Sequence, residues 1–222
     1  MKLPVFDLHC DTALELLGGD GRPKASLRKN SGHIDLERAK ELGGYCQCFA
    51  IFTFPKFEEW FCRPVIEVFE DMVSNLLREL EENRDIIAQA RNTAEIAANQ
   101  AAGKMSAVLT LEGPAGINYD PERLSELYHR GFRISTLGWN EHNSLVGSHR
   151  TAGGLTDRGR EYVKECQRLG ILVDVSHISD EGFWDIMKIT EAPIVASHSN
   201  SRNVYGHSRN LTDDMFRAIC ET

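Results

Sequence analysis

Ile171-Leu-Val-Asp174-Val-Ser176-His177-Ile-Ser-Asp180-Glu-Gly-Phe-Trp-Asp-Ile-Met-Lys-Ile189-Thr-Glu-Ala-Pro193-Ile-Val-Ala-Ser197-His198 is the stretch that decides the fold. Ile171–Ser176 is a short apolar run and reads as a buried strand. Asp180–Ile189 reads as a helix, and Pro193–Ser197 is a second short apolar run. Strand, helix and strand in so short a span make a βαβ unit, whose two strands are expected to lie parallel.

The same alternation extends outward in both directions. Upstream, strands are expected at Pro4–His9, Tyr45–Phe52, Met105–Leu111 and Arg133–Trp139. Between them, Ile34–Leu42 has helical spacing, with Asp35 and Glu37 in its first turn and Gly43-Gly44 past its end. Pro64–Glu82 reads as a long helix, with Val65, Val68, Phe69, Met72, Leu76 and Leu80 forming an apolar stripe. Pro64 suits its first turn. Asn92 starts a further helix, with Glu95 placed as a capping-box partner. Pro121–Arg130 and Thr156–Leu169 follow, the latter ended by Gly170, and a last helix begins near Thr212. Ile86–Ala90 reads as a short extended piece and Gly18–Gly32 as a loop.

Six strong parallel strands define an α/β fold, a TIM-like (β/α) barrel with about six of its eight βα units. A full barrel typically takes ~250 residues, and the chain has 222. Residues 1–222 are therefore expected to form a single barrel domain, truncated at its C-terminus. The gene product is expected to continue past Thr222.

Composition narrows the function. Lys and Arg total 25 against 33 Asp and Glu, a net charge of −8. Nucleic-acid binders need clustered cations for phosphate. The densest cluster here, Arg22, Lys24, Arg28 and Lys29, is interrupted by Pro23 and reads as a solvated loop. No run of ~18 apolar residues offers a membrane span, and the N-terminus lacks the apolar core of a signal peptide. A cytoplasmic location is expected. Cys10, Cys46, Cys48, Cys62, Cys166 and Cys220 contain no CxxC pair and read as small buried hydrophobes in a reducing cell.

The polar residues sit at strand ends. Val5-Phe-Asp-Leu-His9-Cys-Asp11 ends in His-x-Asp, Val108-Leu-Thr-Leu-Glu112 in Glu, and the strands before His177 and His198 in His. A single His after a strand is ordinary; four such ends together indicate a site. In a parallel barrel all strand C-termini open on one face, so His9, Asp11, Glu112, His177 and His198 are expected to converge. His9 and Asp11, two apart on a strand, share a side. Imidazole and carboxylate together suit zinc or a similar divalent ion. Five ligands exceed one zinc's usual share and match two ions, with Glu112 as the bridge. Such ions lower the pKa of bound water from 15.7 toward ~7 and supply a hydroxide nucleophile.

These residues resemble the membrane dipeptidase (renal dipeptidase) family, among the amidohydrolase-type barrel hydrolases. The resemblance rests on Asp7-Leu-His9-Cys-Asp11-Thr12, Leu111-Glu112-Gly113, Gly154-Leu-Thr-Asp-Arg-Gly159, Gly170–His177, Ser197-His198-Ser199 and Ser208-Arg209-Asn210-Leu-Thr-Asp213-Asp214, in the family's order. It implies a two-zinc site on the same five ligands, with Glu112, His177 and His198 at its catalytic heart. It also implies hydrolysis of dipeptides, with a D-residue tolerated at the C-terminal position, and Arg209 holding the substrate carboxylate. A guanidinium fork matches a carboxylate independently of the family.

There are two departures. Trp139 takes the place of a substrate-contacting His, and Trp139, Asn140, His142 and Asn143 are candidate substrate contacts in its stead. The family's acid/base Asp, on a later strand, has no counterpart, and Asp174 is expected to face away from His177. The alternatives are another barrel amidohydrolase (lactone, cyclic amide or phosphotriester) or a metal-binding fragment without turnover. The opening His9-x-Asp11 and the Glu112 bridge favour the dipeptidase. The expected partner is a small dipeptide, with neither nucleic acid nor membrane, and a homodimer is possible.

Overall fold

The computed structural model describes residues 4–18 and 24–222. Met1–Leu3 and part of the Gly18–Gly32 loop, with Arg22 and Pro23 of the basic cluster, lie outside the described residues. The chain divides into two compact units, Met1–Thr110 and Leu111–Thr222.

The first unit runs β1 (Val5–Cys10), α1 (Thr12–Leu17), α2 (Leu36–Ala39), β2 (Tyr45–Phe52), α3 (Phe57–Phe61), α4 (Val65–Glu82), β3 (Ile87–Gln89), α5 (Thr93–Ala101) and β4 (Met105–Glu112), whose last two residues belong to the second unit. β1 pairs with β2 and β3 with β4, all parallel. Every residue of β2 is buried. That follows from its near-continuous apolar run, the mark of a strand covered on both faces. The α4 stripe faces inward as its spacing requires: Val65, Val68, Phe69, Met72, Leu76 and Leu80 are all buried. Each large apolar side chain so buried contributes roughly 1.5–3 kcal/mol.

Local chemistry sets the helix starts. Asp35 caps α2 by accepting from Arg38 N at 2.9 Å. Asn92 caps α5 by accepting from Glu95 N at 2.9 Å, and Glu95 returns to accept from Arg91 N at 2.8 Å. Pro64 stands immediately before α4 as its N-cap, one position earlier than its expected place in the first turn. α1 and α3 were not expected from the sequence. Both are under two turns long, too short for a periodic signal.

The second unit contains α6 (Leu124–Arg130), β5 (Phe132–Thr136), α7 (Asp157–Leu169), β6 (Leu172–Asp174), α8 (Asp180–Met187), β7 (Ile194–Val195) and α9 (Asp213–Cys220). Its strands are parallel, with Thr136 opposite Asp174 and Asp174 opposite Val195. Thr156, Ser179 and Thr212 cap α7, α8 and α9 through their hydroxyl oxygens. Its strands are shorter than the apolar runs suggest, and one carboxylate explains two of the early ends. Asp174 Oδ1 accepts from Ser176 N at 2.9 Å and from Ser197 N at 3.1 Å. Those two N–H groups leave the ladder, so β6 and β7 stop there.

The described residues thus hold the six expected strands and add Ile87–Gln89 as a seventh. Cys46, Cys48 and Cys166 are buried, as read for the whole set, but Cys62 and Cys220 are exposed; all six are free thiols. Among the described residues no helix is long and apolar enough to cross a membrane.

Candidate metal centre

In the first unit, β1 ends in a register shift between Asp7 and Cys10 against β2. Bulges of this kind re-aim side chains and gather beside functional sites. Here the irregular segment contains His9, whose N–H donates to Asp7 Oδ1 at 3.1 Å. His9 Nε2 lies 3.5 Å from Asp11 Oδ1, so the two side chains share one neighbourhood. Cys10 between them is not a ready thiolate, because burial pushes its pKa up to about 12.

In the second unit, three of the expected ligands meet. His177 Nε2 is 3.0 Å from Glu112 Oε1 and 2.8 Å from His198 Nε2, and His198 Nε2 is 3.5 Å from the same oxygen. Glu112 is 4% and His177 8% exposed. Burial, chiefly, draws His177 below its usual value, with Glu112 opposing and Arg209 and His198 reinforcing. The neutral imidazole is thus favoured. His177 also has φ +73, a left-handed conformation unusual for a residue with a side chain. Its carbonyl accepts from His149 N at 2.8 Å, which holds that backbone in place.

Outer groups set the orientation of both imidazoles. Ser197 Oγ donates to Asp174 Oδ2 and so accepts from His198 Nδ1, 2.7 Å away. Asn140 Oδ1 lies 3.1 Å from His177 Nδ1 and 2.8 Å from His149 Nε2, and accepts from both. His149 Nδ1 is then left to accept from Ser208 Oγ at 3.1 Å. Burial first, then proximity to His177 and to the cation of Arg209, depress His149 to about 4, which keeps it neutral. Both Nδ1 protons point outward, so two Nε2 lone pairs and a carboxylate oxygen face one another. That is a donor set for a cation. Outer acceptors on ligating histidines are the usual means of fixing their tautomer.

Asp174, set aside on strand alternation, turns out to hold the Ser197 hydroxyl against His198. His149 was not singled out by the sequence at all. It sits in a loop without periodicity, and only the fold brings it to Asn140. Asn140 bonds to the imidazoles, and Asn143 serves its own loop. Asn143 Nδ2 donates to Leu137 O at 3.1 Å, and its Oδ1 accepts from Leu145 N and Val146 N. The Trp139 ring centre lies 6.2 Å from that of His177 and forms a wall beside it. His142 is exposed.

Arg209 donates through Nη1 to Ser199 Oγ at 2.6 Å, while its Nη2 is buried with no partner among the described residues. Burial lowers its pKa, offset by the charges of Asp174 and Glu112. The loop that bears it is pinned by Arg202, which grips both oxygens of Asp180 at 2.6 and 2.7 Å.

Residues 1–222 match the profile of the membrane dipeptidase family, peptidase family M19. The chain belongs to the membrane dipeptidase family. Among its relatives, an uncharacterised Acinetobacter calcoaceticus protein from a PQQ-III 3′ region is 29% identical over 245 residues, spanning 99% of this chain and 78% of that one. A Rhodobacter sphaeroides metallopeptidase, solved with a phosphinate mimic of the dipeptide L-Ala-D-Ala, superposes with a TM-score of 0.84 at 29% identity. The match covers all of this chain and 72% of that one. A second solved M19 metallopeptidase, dipeptidase AC, gives 0.84 at 31% identity, covering all of this chain and 70% of that one. This membrane dipeptidase relative has their TIM-like α/β fold, as its sequence led us to expect. Family membership makes it a metal-dependent hydrolase of peptide bonds.

Proposed function

We propose that the chain is a zinc-dependent dipeptidase that accepts a D-residue at the C-terminal position. The observation behind this is the meeting of Glu112 with His177 and His198, whose Nε2 lone pairs turn inward, within electrostatic reach of a half-buried Arg209 whose Nη2 has no partner among the described residues. By the family pattern, His9 and Asp11 would join Glu112, His177 and His198 as the residues that hold the metal. When bound, zinc supplies a Lewis acid for the scissile carbonyl and an acidified water as nucleophile.

The chain's own residues then have separate tasks. Glu112, His177 and His198 hold the reacting region. Asn140 and Ser197 fix the two imidazoles so that neither ring turns. Arg209 anchors the substrate's carboxylate through the guanidinium edge that the protein leaves free, which orients the amide toward Glu112. Trp139 walls the pocket and limits solvent near His177. The solved Rhodobacter sphaeroides relative was complexed with a mimic of L-Ala-D-Ala, which supports the D-residue reading.

The test compares hydrolysis of L-Ala-D-Ala, L-Ala-L-Ala, a lactone and a phosphotriester by zinc-loaded protein, with metal content measured alongside. Cleavage of the dipeptides, lost on chelation and in Glu112→Ala, is expected. Activity on the lactone or phosphotriester alone, or purified protein that takes up no divalent metal, would refute the reading.

A further inference from the structure

Three buried side-chain polar atoms have no hydrogen-bond partner among the described residues: Arg209 Nη2, Glu141 Oε1 and Tyr119 Oη. Buried polar atoms are nearly always paired, so each such atom needs an explanation. The substrate carboxylate accounts for Arg209. We propose that Glu141 and Tyr119 form the complementary subsite, which takes the N-terminal ammonium of the dipeptide, so that the enzyme recognises its substrate as a zwitterion. This rests on the dipeptidase reading and deepens it.

Glu141 follows Asn140 directly, and Asn140 Oδ1 touches His177 Nδ1. The loop bearing it is firmly held: Ser148 Oγ donates to Asn140 O at 2.9 Å, and Asn143 ties Leu137 to Leu145 and Val146. The backbone that carries Glu141 is therefore fixed next to the residue that orients His177. Burial holds its carboxyl above the usual carboxylate range, with backbone bonds from Glu141 and Asn140 opposing and the field of Glu112 adding.

Tyr119 reaches its place at a conformational cost. Asn118 and Tyr119 both have φ +55, a region that non-glycine residues occupy only when their surroundings hold them there. Arg158 supplies that hold, donating through Nε to Tyr119 O at 3.0 Å and through Nη2 to Asn118 O at 3.2 Å. A strained segment thus buries a phenol oxygen that finds no partner among the described residues, and burial first, then the charge of Glu141, raise its pKa. An ammonium group offers three N–H donors and no acceptor. It suits a pair of acceptors, one of them anionic, where a neutral amide with one N–H does not.

The experiment is a calorimetric titration of the zinc-loaded chain with the phosphinate mimic of L-Ala-D-Ala, as the free amine and as its N-acetyl derivative. In the wild type, N-acetylation is expected to weaken binding roughly 10- to 100-fold, the range for losing charge-assisted hydrogen bonds. Glu141→Gln should weaken the free amine by a similar factor and leave the N-acetyl form unchanged, so the discrimination collapses. Tyr119→Phe should cost the free amine about threefold to tenfold. Unchanged N-acetyl binding also shows that each variant is folded. The proposal is overturned if Glu141→Gln binds the free amine as tightly as the wild type, if it weakens both forms equally, or if the wild type binds both forms equally. If the wild type binds neither form, the dipeptidase reading falls, and the subsite with it.

Discussion

Replacing Asn140 with leucine removes one oxygen that serves two imidazoles. Asn140 Oδ1 accepts from His177 Nδ1 at 3.1 Å and from His149 Nε2 at 2.8 Å. Each hydrogen bond contributes about 1 kcal/mol net, so losing both amounts to about 2 kcal/mol. At 1.36 kcal/mol per tenfold, that is roughly a 30-fold loss, inside the 10- to 100-fold range typical when the outer partner of a ligating histidine is removed. The loss should appear in metal affinity, because an unrestrained His177 ring can turn Nε2 away from Glu112 and His198. The backbone anchor survives, since Ser148 Oγ bonds to the Asn140 carbonyl and not to its side chain. Competition of zinc against a chromophoric chelator at neutral pH measures the effect directly. Asn140→Asp keeps the acceptor and should retain wild-type affinity within a few-fold. An Asn140→Leu protein that binds zinc within threefold of wild type would refute the reasoning. So would a variant whose KM for dipeptide rises while its zinc affinity holds, the pattern expected if Asn140 touches substrate instead.

Arg209→Gln should lower kcat/KM for dipeptides roughly 30- to 150-fold, from the loss of one or two charge-assisted bonds; on a C-terminal dipeptide amide, wild type and variant should be alike. Asp174→Ala should destabilise the metal-free protein by about 3–5 kcal/mol in chemical denaturation, because a residue only 2% exposed leaves two peptide N–H groups and the Ser197 hydroxyl without their acceptor. Asp35→Ala should cost about 1 kcal/mol near pH 7, the usual worth of an N-cap. Burial opposes the Asp35 charge, but bonds from Arg38 and Asn30 outweigh it and hold its carboxyl below 3.8. A carboxylate held low in the folded state stabilises above its unfolded value and loses that contribution as pH falls through the folded one. The gap between wild type and Asp35→Ala in denaturation midpoint should therefore close below about pH 4; a gap that persists at pH 2 would contradict the assignment.

The strands were legible because burial on both faces demands unbroken apolar runs, as in Tyr45–Phe52, and because ligand-type residues follow those runs directly. Glu112, His177 and His198, which the structure brings together, could be grouped from position alone for that reason. The precise strand ends were not legible. Ala196 and Ser197 extend an apolar pattern that suits a ladder, yet a carboxylate on the neighbouring strand captures the Ser197 N–H. The outer groups were hidden for a related cause. His149, Ser197 and Tyr119 are placed by loops whose partners lie far along the chain, and no local periodicity marks them. Asn140 was read as a substrate contact because its position in the motif suggested one. Its actual bonds depend on where His149 arrives, which is a tertiary fact.

The stitching around His177 also constrains the order in which the protein matures. Ser148 bridges to Ile178, and Ser179 N donates to Gly147 O, joining segments roughly thirty residues apart. A Cβ on Gly147 would stand 1.8 Å from Ala152 O, so the loop on one side of this seam folds back on itself only around that glycine. Contacts between distant segments form late, after loop-closure entropy has been overcome. The left-handed turn at His177 exists only once that seam is shut. During folding, then, the helices can assemble while the ligand geometry is still undefined. Metal capture should report the final step of folding and not its beginning.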